Sequence, residues 1–141
     1  MLIDIAGILA AVDRTWEEMG ELIADANTQA IESKIYGWGN STMRSNGEIV
    51  TSPRDIVDTG ALKDSQSCTK SGDTWHLNWS VDYAAEVHEG IGNKPARKWT
   101  QVAITGDATA DPDYQNPNAI LNVPTAFTER FNANYQRQGS G

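Results

Sequence analysis

The side chains with the most chemical reach are few. His76 and His88 are the only histidines, and Asp82, Glu86 and Glu89 lie near them in the chain. Imidazole and carboxylate together can hold a metal ion and activate water. The spacing argues against that use. Neither H-E-x-x-H nor a paired-cysteine pattern is present, and His76 falls on the polar side of an alternating segment, where a solvated ring is the simpler reading. Cys68 stands near Lys70 in a polar stretch that supplies neither the base nor the oxyanion donors a nucleophilic thiol needs. Asp107, Asp111 and Asp113 do not complete an EF-hand pattern, and Gly90-Ile91-Gly92 is too short to cradle a phosphate, reading instead as a turn that needs positive φ. G-x-S-x-G, Walker A and G-x-G-x-x-G signatures are absent. The expectation is a protein that is not an enzyme and uses no metal or cofactor. A small metal-dependent hydrolase built on His76, His88, Glu86 and Glu89 is the alternative from another class.

The elements that must position these residues can be read from periodicity. Ile5, Ile8, Leu9, Val12, Trp16, Met19, Ile23, Ala26, Ala30, Ile31 and Ile35 recur at spacings of three and four, which predicts one long N-terminal helix with these residues on a single face. Gly20 weakens its middle, and Gly37 and Gly39 supply stop signals. Residues 40–52, rich in Asn, Ser, Thr and Gly, read as an exposed loop. Two helix starts compete next, at Ser52-Pro53 and at Asp58-Thr59; the second is preferred, with Asp58 as cap of a short helix from Thr59 to about Asp64. Ser65 to Lys70 and Thr74 to Val81 predict an antiparallel hairpin, with Trp75, Leu77, Trp79 and Val81 on one face. Tyr83–Glu89 and Trp99–Ile104 are open between strand and helix, and Ala119 to Val123 reads as a further strand. A C-terminal helix follows, with Pro124 in its first turn and Phe127, Phe131 and Tyr135 forming a stripe. The expected class is α+β, the long N-terminal and C-terminal helices packed on one face of an antiparallel β-sheet. One domain covers 1–138, and 139–141 form a flexible tail.

Composition narrows the class of function. The chain has 141 residues, enough for one domain with a real core. Eleven basic residues against nineteen acidic ones give a net charge of −8, which argues against a dedicated nucleic-acid binder. It suits a surface past which DNA slides without sticking. No apolar run approaches the ~20 residues that span a bilayer, and the N-terminus lacks the positive region of a signal peptide. A single cysteine cannot form an internal disulfide, so synthesis in a reducing cytosol is the simplest expectation. Five tryptophans are many for this length. Trp75 and Trp79 suit a core, whereas Trp38 and Trp99 sit beside loops and suit either a core or a subunit interface, where aromatics are enriched.

Three segments taken together carry a resemblance. They are Val57-Asp58-Thr59-Gly60-Ala61-Leu62-Lys63-Asp64-Ser65, Tyr83-Ala84-Ala85-Glu86-Val87-His88-Glu89-Gly90, and Pro95-Ala96-Arg97-Lys98-Trp99. In order and separation they resemble the tail-component (tail-completion, neck) family of lambdoid and related tailed bacteriophages. Two departures stand out: Lys98 occupies a position where that family usually has proline, and residues 105–118 separate the third segment from the last helix. The resemblance implies a virion structural protein, a ring of six copies between the head-closure (stopper) complex and the tail tube. Its partners would be copies of itself and other neck proteins, with DNA passing through and no membrane involved. A tail terminator capping the tube is the alternative within the class. Asp58, Thr59, Gly60, Leu62, Tyr83, Ala84, Glu89, Gly90, Pro95, Ala96, Arg97 and Trp99 would be the structural motif residues. Tyr83 and Val87 are expected to pack on the sheet, while Trp38, Arg97 and Trp99 are the candidate subunit contacts, Arg97 offering a donor fork to a carboxylate.

Overall fold

A computed structural model describes residues 3–36, 41–51, 55–57, 60–92, 96–105 and 119–139. Its frame is helix α1, Ile5–Glu32, whose 28 residues extend about 42 Å. The Asp4 carboxylate accepts a hydrogen bond from the Gly7 amide at 2.9 Å and caps the start. Ala11, Thr15, Met19, Ile23, Ala26 and Ala30 form its buried line, stepping by four or three residues along one side. That line is shifted from the expected one. Ile5 and Leu9 are exposed, while the polar Thr15 and Asn27 are buried. Both polar side chains are accommodated by donating to the carbonyl one turn back, Thr15 Oγ1 to Ala11 at 2.6 Å and Asn27 Nδ2 to Ile23 at 2.9 Å.

Among the described residues, four strands form two separate antiparallel hairpins, and the class is α+β. The smaller hairpin, β1 (Thr42–Met43) with β2 (Ile49–Val50), lies in the stretch expected to be loop. The larger joins β3 (Gln66–Ser71) to β4 (Thr74–Trp79), and its strand alternation is as expected. Gln66, Cys68, Lys70, Trp75, Leu77 and Trp79 share the half-buried face, and the residues between them are exposed. Strand β3 runs antiparallel to α1 with matched steps. Gln66 Nε2 donates to the Ala24 carbonyl, Cys68 Sγ to the Gly20 carbonyl, and Lys70 pairs with Glu17. Two strand residues rise about 6.8 Å and one helical turn about 5.4 Å, so alternate strand residues meet successive turns.

Gly20 is what lets the hairpin lie close. A Cβ there would fall 2.4 to 2.6 Å from three ring atoms of Trp75. The Trp75 indole also donates to the Trp16 carbonyl at 2.9 Å, and the Trp16 indole donates to the Asp73 carbonyl in the hairpin turn at 2.8 Å.

Four further helices lie among the described residues: α2 (Ala61–Asp64), α3 (Ala84–Glu89), α4 (Trp99–Ile104) and α5 (Val123–Gly139). The two segments left open between strand and helix are therefore helical. Residues 119–122 are not a strand. Their Ile120 and Leu121 amides donate to the Val102 and Ala103 carbonyls, satisfying groups left open near the end of α4. Asn122 then caps α5 by accepting from the Thr125 amide at 3.1 Å. Phe127, Phe131 and Tyr135 stack in sequence along α5, and Phe127 meets Trp16 of α1 with centroids 6.4 Å apart. Asn134, 2% exposed, fixes the register of α5 on α1 by donating to Thr15 Oγ1 at 3.1 Å and to Glu18 Oε2 at 3.2 Å. Gly139 is the last residue of α5, so the helix enters the tail expected to be flexible.

Candidate functional site: three motifs around Trp99

The three motif segments, separated by up to about 40 residues of chain, meet in one core. Leu62 of α2, Trp99, Val102 and Ala103 of α4, and Ala26, Ala30 and Ile31 of α1 are buried together with Tyr36. Val57, Ala84 and Val87 pack against that cluster. Gly60 stands at the N-cap of α2 with φ 87°, a left-handed conformation that glycine adopts without strain. Its carbonyl accepts the Asp64 amide at 2.8 Å, which closes the turn that sends Leu62 inward. Asp58 and Thr59, the expected cap, lie outside the described residues, as do Pro95 and Trp38.

The second and third segments are joined directly. The Arg97 amide donates to the Val87 carbonyl at 3.0 Å. Lys98 Nζ lies 3.7 Å from Glu89 Oε2. Ala96 is half-buried beside this junction, and Gly90, φ 82°, ends α3 with its amide donating to the Glu86 carbonyl. Trp99 is 1% exposed, its ring edge-on to Trp79 at 5.3 Å and to His88 at 4.8 Å, both within the favourable range for T-shaped pairs. The expectation of a subunit contact at Trp99 is thereby corrected: its surface is spent on this chain's own core. Tyr83 is corrected in the other direction, being exposed rather than packed on a strand. Arg97 is half-buried, and its charge acts on the buried Tyr36 hydroxyl. Burial pushes the Tyr36 phenol up, and the Arg97 charge pulls the other way.

His88 links the segments through its ring nitrogens. Nδ1 lies 2.7 Å from Glu89 Oε1 and Nε2 lies 2.6 Å from Thr100 Oγ1. The hydrogen bond from His88 holds the Glu89 carboxyl below the usual carboxylate range. Carboxylate, imidazole and hydroxyl in this order are also the groups that activate a hydroxyl nucleophile. His76, by contrast, is exposed on the outer face of β4 and is not brought to His88. The alternative metal reading needed both rings in one place. Sequence reasoning missed Tyr36 and Thr100. Neither carries a local signal, because their partners stand six and twelve residues away on other turns.

Compared with family models, with curated proteins and with solved structures, the chain matches none.

Proposed function

We infer that this chain is a structural protein of a tailed-phage virion, a neck or tail-completion component that assembles as a ring between the head-closure complex and the tail tube. The observation that carries the reading is the meeting of three motifs in one core around Trp99 and Leu62. Their joint burial makes them a folding unit whose outer surfaces are left for contacts with neighbours. The acidic balance, −8 over the chain, suits a lumen that DNA traverses without binding.

The test is assembly of particles with and without the chain, examined by electron microscopy. Full heads beside finished, unattached tails support a completion or joining role. Tails of uncontrolled length support the terminator alternative. Infectious particles formed without the chain refute both. A second reading attaches to the Glu89–His88–Thr100 series, a hydrolase with Thr100 as nucleophile. Turnover of an activated ester that disappears in Thr100→Val would favour it over the structural reading.

A further inference from the structure

The first turns of α1 are apolar nearly all the way round. Between Asp4 and Asp13 no residue is charged, and a helix of that character is ordinarily covered on every side. Here Ile3, Ile5 and Leu9 are 59–66% exposed, with Ile5 and Leu9 one turn apart on the same face. A second apolar patch lies on the β1–β2 hairpin. Met43 and Ile49 are direct cross-strand partners, so their side chains stand together on one face, 68% and 63% exposed. Arg44, the next residue in the chain, points to the opposite face and holds the hairpin to the body through Asp55, its Nη1 2.8 Å from Oδ1. Ile56 in turn donates its amide to the Ile31 carbonyl, at the far end of α1. The two patches therefore sit at opposite ends of a helix about 42 Å long.

We propose that these patches are each other's partners, the N-terminal turns of α1 in one copy seating on the Met43–Ile49 face of the next. Pairing each patch with its own copy would need two different interfaces, one for each. A single head-to-tail contact covers both, and repeated head-to-tail contacts close into rings when the rotation allows. The five residues expose on the order of 500 Å² of mainly apolar surface, most of the apolar share of an interface of roughly 1,200 Å² in total. Pairing the helix end with itself would instead bring Asp4 and Asp13 of two copies together. This contact deepens the ring reading by naming the surfaces that would form it.

Leu9→Asp and Ile49→Asp test the contact, both at exposed positions that leave the core intact. Sedimentation velocity should show wild-type chain associating as concentration rises and each variant staying monomeric. An equimolar mixture of the two variants should form dimers and nothing larger, because one intact pair of surfaces survives. Retained assembly in Ile49→Asp overturns the proposal, as does a mixture that stays monomeric at concentrations where the wild-type chain associates. Weak association is read by trapping: in a Cys68→Ser background, Leu9→Cys with Ile49→Cys should oxidise to a ladder beyond the dimer, and Leu9→Cys alone should not cross-link. A double variant that cross-links no better than the single one also overturns it. The contact and its setting fail separately. Association by a chain that is absent from particles removes the virion role alone, and a chain present at the neck with no such ladder removes the contact alone.

Discussion

Replacing Gly20 by alanine should destabilise the protein, against the ordinary expectation for a glycine in the middle of a helix. Helix propensity alone favours alanine by about 1 kcal/mol. At this position the new methyl group would stand 2.4 Å from Trp75 Cη2 and 2.5 Å from Cζ2, well inside carbon contact distance. The helix backbone cannot yield easily, so the ring must move. Overpacking of this kind costs about 1–3 kcal/mol. Moving the ring also breaks the 2.9 Å bond from its indole N–H to the Trp16 carbonyl, for about 1 kcal/mol more. The balance is a loss of about 1–3 kcal/mol, or roughly 4–10 °C in Tm for a domain of this size. Thermal and urea unfolding followed by far-ultraviolet circular dichroism measure it. The same substitution in a Trp75→Ala background should turn stabilising, by up to about 1 kcal/mol, because the obstacle is gone and only propensity is left. A rise in Tm for Gly20→Ala in the wild-type background would refute the close docking of the hairpin.

Three further outcomes follow from the same contacts. Asn134→Ala should cost about 1–3 kcal/mol, since it strips a buried hydrogen bond from Thr15 and a half-buried one from Glu18. The Asn134 bond is the leading reason the Glu18 carboxyl lies below its ordinary 4.5, so Glu18 adds stability above that pH and loses it as pH falls through the lowered folded value. Acid unfolding curves should show a smaller loss below pH 4.5 in Asn134→Ala. His88→Ala should cost about 1–3 kcal/mol by removing the link to Thr100 and the ring against Trp99, with a change in tryptophan fluorescence that His76→Ala does not produce. Burial pushes the Cys68 thiol up, so its alkylation near pH 8 should be slower than that of a free thiol and should accelerate when urea unfolds the chain.

Period and punctuation carry much of this fold in the primary sequence. The 3.6-residue recurrence of Met19, Ile23, Ala26 and Ala30 specifies α1, and the strict alternation from Thr74 to Trp79 specifies β4, because each regular backbone repeats its faces at a set interval. Pro124 marks the start of α5 in the same local way, whereas the Asn122 cap emerges only from the structure. Short apolar segments carry no such signature. Tyr83–Glu89 and Trp99–Ile104 are too brief for period to distinguish strand from helix, and packing against α1 and Leu62 resolves them.

What the sequence by itself determined is the inventory: a long amphipathic helix, a hairpin with one apolar face and a closing helix. Only the tertiary structure decided which side of each element is used. Thr15 and Asn27 are buried while Ile5 and Leu9 are exposed, Trp99 is core rather than contact, and Gly20 is a seat for an indole rather than a weak point. The physical reason is that burial belongs to a pair of surfaces. Periodicity describes one surface at a time, and the Trp75 ring that occupies the groove at Gly20 lies 55 residues further along the chain.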